Sequence, residues 1–226
     1  EHGAAHLRSL TNEPGKVELV YHGLDLDRFP ASSARAGRKG NQEDPVVILS
    51  IGRAVTKKGF DDLLIALAAL PDSCHWNFEH IGDGECLPEL KKHAQELGLS
   101  DRVRWLGAQP QEKVLDHLRS ADLFALACKI APDGDRDGLP NVLMEAQSQG
   151  LPVISTRVSA VPELIEDGET GLLADPGNST ELMHAIARLI SEPSLRRKLG
   201  SAGEARVRSV FNAEHGLDSL MIRFSS

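Results

Sequence analysis

Short runs of β-branched and apolar residues alternate along this chain with longer stretches of helical period, and Gly, Pro or Asp separates each pair. The runs predict strands at Val46 to Ile51, Trp76 to Ile81, Val103 to Leu106, Leu123 to Ala127, Val153 to Thr156 and Gly171 to Ala174. Most are too apolar to keep a wet face, and strands buried on both sides belong to parallel sheets covered by helices above and below. Between them, Phe60, Leu63, Leu64, Leu67 and Leu70 follow the spacing of one helical face, and Leu87, Leu90, Ala94 and Leu97 do the same. Asn178 with Glu181 three residues on is a cap signature for a helix through Leu182, Ala185, Ile186 and Leu189. The pattern predicts a doubly wound, Rossmann-like α/β fold with a parallel sheet.

The ends read differently. Ala31 to Asp44 is small, polar and aperiodic, as expected of a linker or surface loop. Upstream lie a helix around Ala4 to Leu10 and a strand over Val17 to Tyr21, too little to bury a core of their own. They are expected either to be the tail of another domain or to pack onto the domain that follows. At the far end Asn212 can cap a helix through Leu217, Leu220 and Met221, whose apolar face needs a partner. The expected organisation is therefore 1–44 as tail and linker, 45–210 as the Rossmann-like domain, and 211–226 as a terminal helix.

Charge and composition narrow the function classes. The 226 residues carry 25 Lys and Arg against 33 Asp and Glu, a formal charge of −8, with no Lys/Arg-rich run. Nucleic acid is not an expected partner, because a sequence-independent grip on it needs a basic footprint; a membrane-binding patch is disfavoured for the same reason. No apolar stretch approaches the ~20 residues that span a bilayer, and Glu1 to Leu10 lacks the basic-then-apolar plan of a signal peptide. Three widely spaced cysteines, Cys74, Cys86 and Cys128, suit reduced thiols in a cytoplasmic protein.

In an open parallel sheet, ligands bind outside the carboxyl ends of the strands, where helix N-termini attract anions. After the first strand come Gly52-Arg53 and Lys57-Lys58-Gly59, a close-approach glycine and two kinds of cation within reach of one phosphate group. The lysines could equally decorate the first turn of a helix, and no Walker lysine follows. After the second strand, Gly82-Asp83-Gly84-Glu85 opens like a dinucleotide fingerprint, but Leu87 stands where the third glycine would be, which argues against a nicotinamide or flavin. It reads as a strand-to-helix turn or as one backbone wall of a cleft. Most informative is Asp133 to Gly150. An acidic loop turns into a helix at Pro140, so amides near Leu139, Asn141 and Val142 would face outward as an anion site. Asp137 and Glu145 flank it with seven residues between them. A phosphate cradle between carboxylates that can accept from paired hydroxyls suits a sugar nucleotide.

Competing chemistries fit less well. Asp133, Asp135, Asp137 and Gly138 match the start of an EF-hand calcium loop, but Met144 stands where the bidentate Glu is required and Pro140 interrupts the loop. The Asp-x-Asp pairs at Asp133 and Asp135 and at Asp25 and Asp27 are tripeptides that any acidic loop yields by chance. His22, His75, His80, His93, His117, His184 and His215 show no metal-ligand spacing with a partner carboxylate, so no metal is expected. There is no Gly-x-Ser-x-Gly elbow, and Cys128 beside the acidic loop reads as packing.

Taken in order, VYHGLDLDRF (20–29), VVILSIGRAVTKKGFDDLL (46–64), HIGDGECLPELKK (80–92), VRWLGAQP (103–110), ADLFAL (121–126), DGLPNVLMEAQSQGLPVIST (137–156) and VPELIEDGETGLLADPG (161–177) closely resemble the carboxyl-terminal half of the group 1 glycosyltransferases. Those are retaining, metal-independent enzymes of the two-domain GT-B fold, and this half binds the nucleotide-sugar donor while the other carries the acceptor. The resemblance implies that Gly52, Arg53 and Lys58 hold the donor diphosphate. It implies that Glu145 accepts from the ribose and that Asp137, a position usually glutamate and here of shorter reach, faces the transferred sugar. Amides around Leu139 to Val142, a stretch that includes Pro140 and Asn141, would bind phosphate, Gly82, Asp83 and Gly84 would wall the cleft, and Ala108 and Gln109 would touch the base. Val20 to Phe29 looks like the interdomain hinge, which implies a preceding acceptor domain as partner and any membrane association through that domain alone. On that resemblance the chain is expected to bind a nucleoside diphosphate sugar, without a further cofactor, but not to transfer the sugar by itself. A nucleotide-sugar epimerase or phosphorylase half, a non-catalytic nucleotide-binding module and a flavodoxin-like domain remain the alternatives.

Overall fold

The computed structural model describes residues 2–31 and 37–224. Its core is a six-stranded sheet of β1 (Val46–Ile51), β2 (Trp76–Ile81), β3 (Val103–Trp105), β4 (Leu123–Ala125), β5 (Val153–Thr156) and β6 (Leu172–Ala174) in the order β3-β2-β1-β4-β5-β6. Every pairing is parallel. All residues of β4, β5 and β6 are buried, as continuous apolar runs predict for strands covered on both faces. The six strands stand where the pattern puts them; β3 and β4 stop one and two residues early, because the chain leaves the ladder to form loops at the carboxyl edge.

The helices are α1 (His2–Leu10), α2 (Phe60–Ala68), α3 (Leu87–Glu96), α4 (Gln111–Ser120), α5 (Asn141–Ser148), α6 (Val161–Leu164), α7 (Ser179–Ser191), α8 (Pro193–Val210) and α9 (Ala213–Phe224). Right-handed crossovers leave β1 and β4 in opposite directions, which puts α2 and α3 on one face of the sheet and α5 on the other. Accordingly α2 packs against α3 and α7, and α5 against α8. The cap at Asn178 forms, its side chain accepting from Glu181 N at 3.1 Å, but the Glu181 carboxylate reaches back to Asp175 N at 2.8 Å instead of closing onto Asn178. Asn212 likewise caps α9 by accepting from Glu214 N at 3.1 Å, and Leu217 stays exposed.

One expected element is absent. Val17 to Tyr21 is not a strand, because no sheet edge lies beside it; Val17 instead accepts from the Arg8 guanidinium at 3.0 Å. The neighbouring segment packs on the domain. Leu24 N donates to Phe211 O at 2.7 Å, Ala213 N donates to Leu24 O at 3.0 Å, and Leu24 and Phe29 join the core. Residues 37–44 are also anchored. Arg38 donates from both backbone and side chain to buried Asp122, and buried Arg196 donates to Arg38 O. Part of the aperiodic loop, 32–36, lies outside the described residues.

Candidate functional site

The strand order reverses between β1 and β4, the place in an open parallel sheet where a ligand crevice forms at the carboxyl edge. The loop after β1 runs from Gly52 to a 3-10 turn, Thr56–Lys58, that ends on Gly59. Lys57 and Lys58 therefore precede α2 instead of decorating its first turn. Gly59 has φ of 63°, and a Cβ there would sit 1.8 Å from Ala127 O, so only glycine lets this turn rest on the loop after β4. The contact is reinforced twice. Lys129 N donates to Lys57 O at 2.9 Å, and the Lys129 ammonium lies 2.6 Å from Asp61 and 3.0 Å from Asp62. Burial works to lower the Lys129 pKa, but its bonds to Asp61 and Asp62 prevail and hold it above 10.5.

This clamp brings the lysines to the acidic loop. Lys58 Nζ lies 2.7 Å from Asp137 Oδ2, and Lys57 Nζ lies 3.6 Å from Asp137 Oδ1 and 3.1 Å from Asp135 Oδ1. Lys58 and Asp137 are 13% and 17% exposed, which leaves them shielded yet accessible from the crevice. Cys128 beneath them points its thiol at Asp137 across 3.8 Å; burial pushes its pKa up to about 12, so it is a packed thiol and not a nucleophile. Arg53 is exposed at the mouth, and its guanidinium has no hydrogen-bond or ion-pair partner among the described residues. It lines a cleft of about 390 Å³ with Lys57, Glu85, Asp133 and Asp135.

The second wall is the start of α5. Pro140 sits buried at the N-cap, not at the first helical position, because its ψ of 120° is still extended; the helix begins at Asn141. Leu143 N donates to Pro140 O, whereas the amides of Leu139, Asn141 and Val142 have no partner among the described residues. Leu143 and Ala146 are fully buried and Val142 packs against the core, so these three form the inward face of α5. Glu145 is half-buried on the same helix; burial raises its pKa above 4.5, and the charge of Arg28 works against that rise.

Gly82, Asp83 and Gly84 shape the floor through backbone contacts. A Cβ on Gly82 would meet Gly52 O at 2.0 Å and one on Gly84 would meet Ala54 O at 2.5 Å, while Ala54 N donates to Asp83 O at 3.0 Å. These residues hold the β2 loop against the Gly52-Arg53 loop. After β3, Gly82 N donates to Gly107 O, Ala108 is exposed, and the Gln109 amide folds back onto Leu106 O at 2.6 Å. In the acidic loop Asp135 and Asp137 turn to lysines and Met144 is fully buried; among the described residues no three His, Cys, Asp or Glu could hold a metal ion.

Several participants carry no signal in the spacing. His22 Nε2 lies 2.8 Å from Asn141 Oδ1, which joins the segment before residue 30 to the start of α5, and Tyr21 donates to Glu163 on α6 at 2.8 Å. Lys129 is separated from Asp61 by 68 positions, a pairing only the fold creates. In sum, the cation-bearing loop after β1 meets the acidic loop after β4, and the free amides that open α5 follow that loop directly, an arrangement that can hold a polyanion.

Comparison with known proteins gives this arrangement its family. The family described as "Glycosyl transferases group 1" matches residues 34–206. The lipopolysaccharide core biosynthesis glycosyltransferase LpsE of Rhizobium meliloti is 35% identical over 178 residues, 79% of this chain and 49% of that protein. The amylovoran biosynthesis glycosyltransferase AmsK of Erwinia amylovora is 36% identical over 199 residues, 87% of this chain and 47% of that protein. The chain thus spans about half the length of these curated relatives. Among solved structures, Anabaena HepE in complex with UDP and glucose shares the fold with a TM-score of 0.80 at 23% identity, over 98% of this chain and 60% of that one. With the family matched across most of its length and relatives above 30% identity, the chain belongs to the group 1 glycosyltransferases.

Proposed function

We propose that this chain is the donor-binding half of a GT-B glycosyltransferase that moves a sugar from a nucleoside diphosphate to a glycan or lipid-linked acceptor, with retention and without a metal. The observation that carries the reading is the pairing of the Lys57-Lys58 turn after β1 with Asp137 in the loop after β4, next to exposed Arg53 and just ahead of the unpartnered amides that open α5. In this reading the cations and the helix end neutralise charge growing on the leaving diphosphate, so fixed dipoles supply what a metal ion does elsewhere. Glu145 accepts from the ribose and Asp137 from the transferred sugar, and Ala108 and Gln109 border the base. The acceptor is held by a second domain on the amino-terminal side; exposed Leu7, Leu10 and Leu19 are the apolar surface available to it. No helix among the described residues is long and apolar enough to cross a membrane, which fits a donor half that works in the cytoplasm.

Calorimetric titration with UDP, GDP and ADP in EDTA tests the proposal. Saturable binding of one diphosphate is expected, weakened at least about ten-fold in Glu145→Ala, since a lost hydrogen bond to a charged group costs ~1.5–3 kcal/mol. The chain alone is expected to bind without transferring sugar. No binding to any of the three would overturn the donor assignment, and sugar transfer by these 226 residues would overturn the need for a second domain.

A further inference from the structure

The loop after β4 closes on itself before it reaches Asp137. Ala131 N donates to Asp135 O at 2.9 Å, Gly134 N donates to Ala131 O at 2.8 Å, and Asp135 N donates to Asp133 Oδ1 at 3.0 Å. That turn delivers the Asp135 carboxylate to Lys57 at 3.1 Å, and the charges then alternate along Asp135, Lys57, Asp137 and Lys58. Two carboxylates thus face Lys57, and the hydrogen bond that its ammonium donates to Asp135 holds its pKa above 10.5. Exposure separates the pair: the Lys57 side chain is 16% exposed and the Asp135 side chain 57%. The acid is the partner that can leave for water. Asp137 cannot leave as readily, being 17% exposed and held by Lys58 at 2.7 Å.

Lys57 lines the same cleft as the unpartnered Arg53. We propose that Lys57 is a further phosphate-binding cation of the donor site and that Asp135 occupies it until a diphosphate arrives, so that Asp135 sets donor affinity. This rests on the donor-site reading given above. A diphosphate is long enough and charged enough to touch both Arg53 and Lys57, whereas one carboxylate neutralises Lys57 alone. The exchange is cheap, because a largely exposed carboxylate regains full hydration when its partner is taken.

Titrating UDP, GDP and ADP in EDTA into the wild-type chain, Asp135→Asn, Lys57→Gln and the double variant tests this. Asp135→Asn is expected to tighten the diphosphate by about two- to five-fold at low salt, the range of one exposed ion pair. The gain should shrink as salt screens the pair, and binding of the corresponding phosphate-free nucleoside should not change. Lys57→Gln should weaken the diphosphate, and adding Asp135→Asn to it should bring no further change. If the wild type binds a diphosphate but Asp135→Asn leaves its affinity unaltered or lowers it, or if the gain persists without Lys57, the inference fails while the donor site stands. If the wild type binds none of the three, both fall together.

Discussion

Arg53 and Lys58 differ in how they meet solvent, and that difference predicts how each acts. Arg53 is exposed and unpartnered, so its planar fork is free to engage a phosphate, while Lys58 is 13% exposed and already bound to Asp137. Replacing either with Gln should weaken a nucleoside diphosphate by about ten-fold or more and leave the free nucleoside nearly untouched, measured by paired titrations. Equal losses for both ligands would remove the phosphate role. A second residue-scale consequence concerns His80, fully buried between Phe60 and Trp105 with neither ring nitrogen hydrogen-bonded to a side chain. Burial pushes its pKa down to about 4, the Gly52 backbone working the other way. Above pH 6.5 both folded and unfolded states hold it neutral. As the pH falls from 6.5 toward 4 the unfolded state takes a proton that the folded state refuses, so stability is lost across that window, by up to about 3 kcal/mol. His80→Phe should remove this component, so its urea stability should decline less than the wild type's between pH 7 and pH 4.5. Identical declines would place the acid sensitivity elsewhere.

At the scale of elements, the lysine turn depends on a helix and two loops meeting without side-chain bulk. Gly59→Ala should cost about 1–3 kcal/mol in unfolding experiments, because a Cβ 1.8 Å from Ala127 O forces backbone apart and φ of 63° disfavours any other residue. If Gly59→Ala melts like the wild type, the turn is not wedged against the β4 loop as described. Elements were legible wherever burial imposed a period. All six strands follow from apolar runs bounded by Gly, Pro or Asp, and α2, α3 and α7 follow from single-face spacing. Val17 to Tyr21 has a strand's composition but no edge to pair with, and composition cannot supply a neighbour. The pattern set out above names no helix over α8, which holds two glycines, Gly200 and Gly203. In the fold Gly200 is a contact: a Cβ there would lie 2.2 Å from Gly150 O, so glycine is what lets α8 reach the backbone beside α5. The site was legible in the same measure. Residues that follow a strand or open a helix stand out by position, whereas the Lys58 to Asp137 and Lys57 to Asp135 pairs join separate loops and exist only once β1 and β4 are side by side.

For the whole molecule, the question is where the stable unit begins. Periodicity starts at Val46, yet the core does not: Leu24 and Phe29 are buried, Tyr21 packs tilted against Phe211 with ring centroids 4.7 Å apart, and Arg38 is bonded to buried Asp122 at 2.8 Å. Removing 1–44 would uncover Phe211, strip Asp122 of its cation and leave Arg196 without the Arg38 carbonyl. Two buried apolar side chains are worth about 1.5–3 kcal/mol each. Their loss, together with that of the Arg38 ion pair to buried Asp122, should cost a large share of the ~5–15 kcal/mol that holds a typical domain folded. Removing only 1–19 should cost little, since Leu7, Leu10 and Leu19 are exposed. Thermal melts of 20–226 and 45–226 against the full chain separate the cases, and equal melting of all three would make 20–44 an appendage. A functional readout accompanies the thermal one, because the retained segment bonds to the start of α5 through His22 to Asn141 and to α6 through Tyr21 to Glu163. If those bonds orient the start of α5, the double variant His22→Ala/Tyr21→Phe in the intact chain should melt close to the wild type and bind nucleoside diphosphate more weakly. An unchanged affinity would mean that the segment supports the domain without shaping its site.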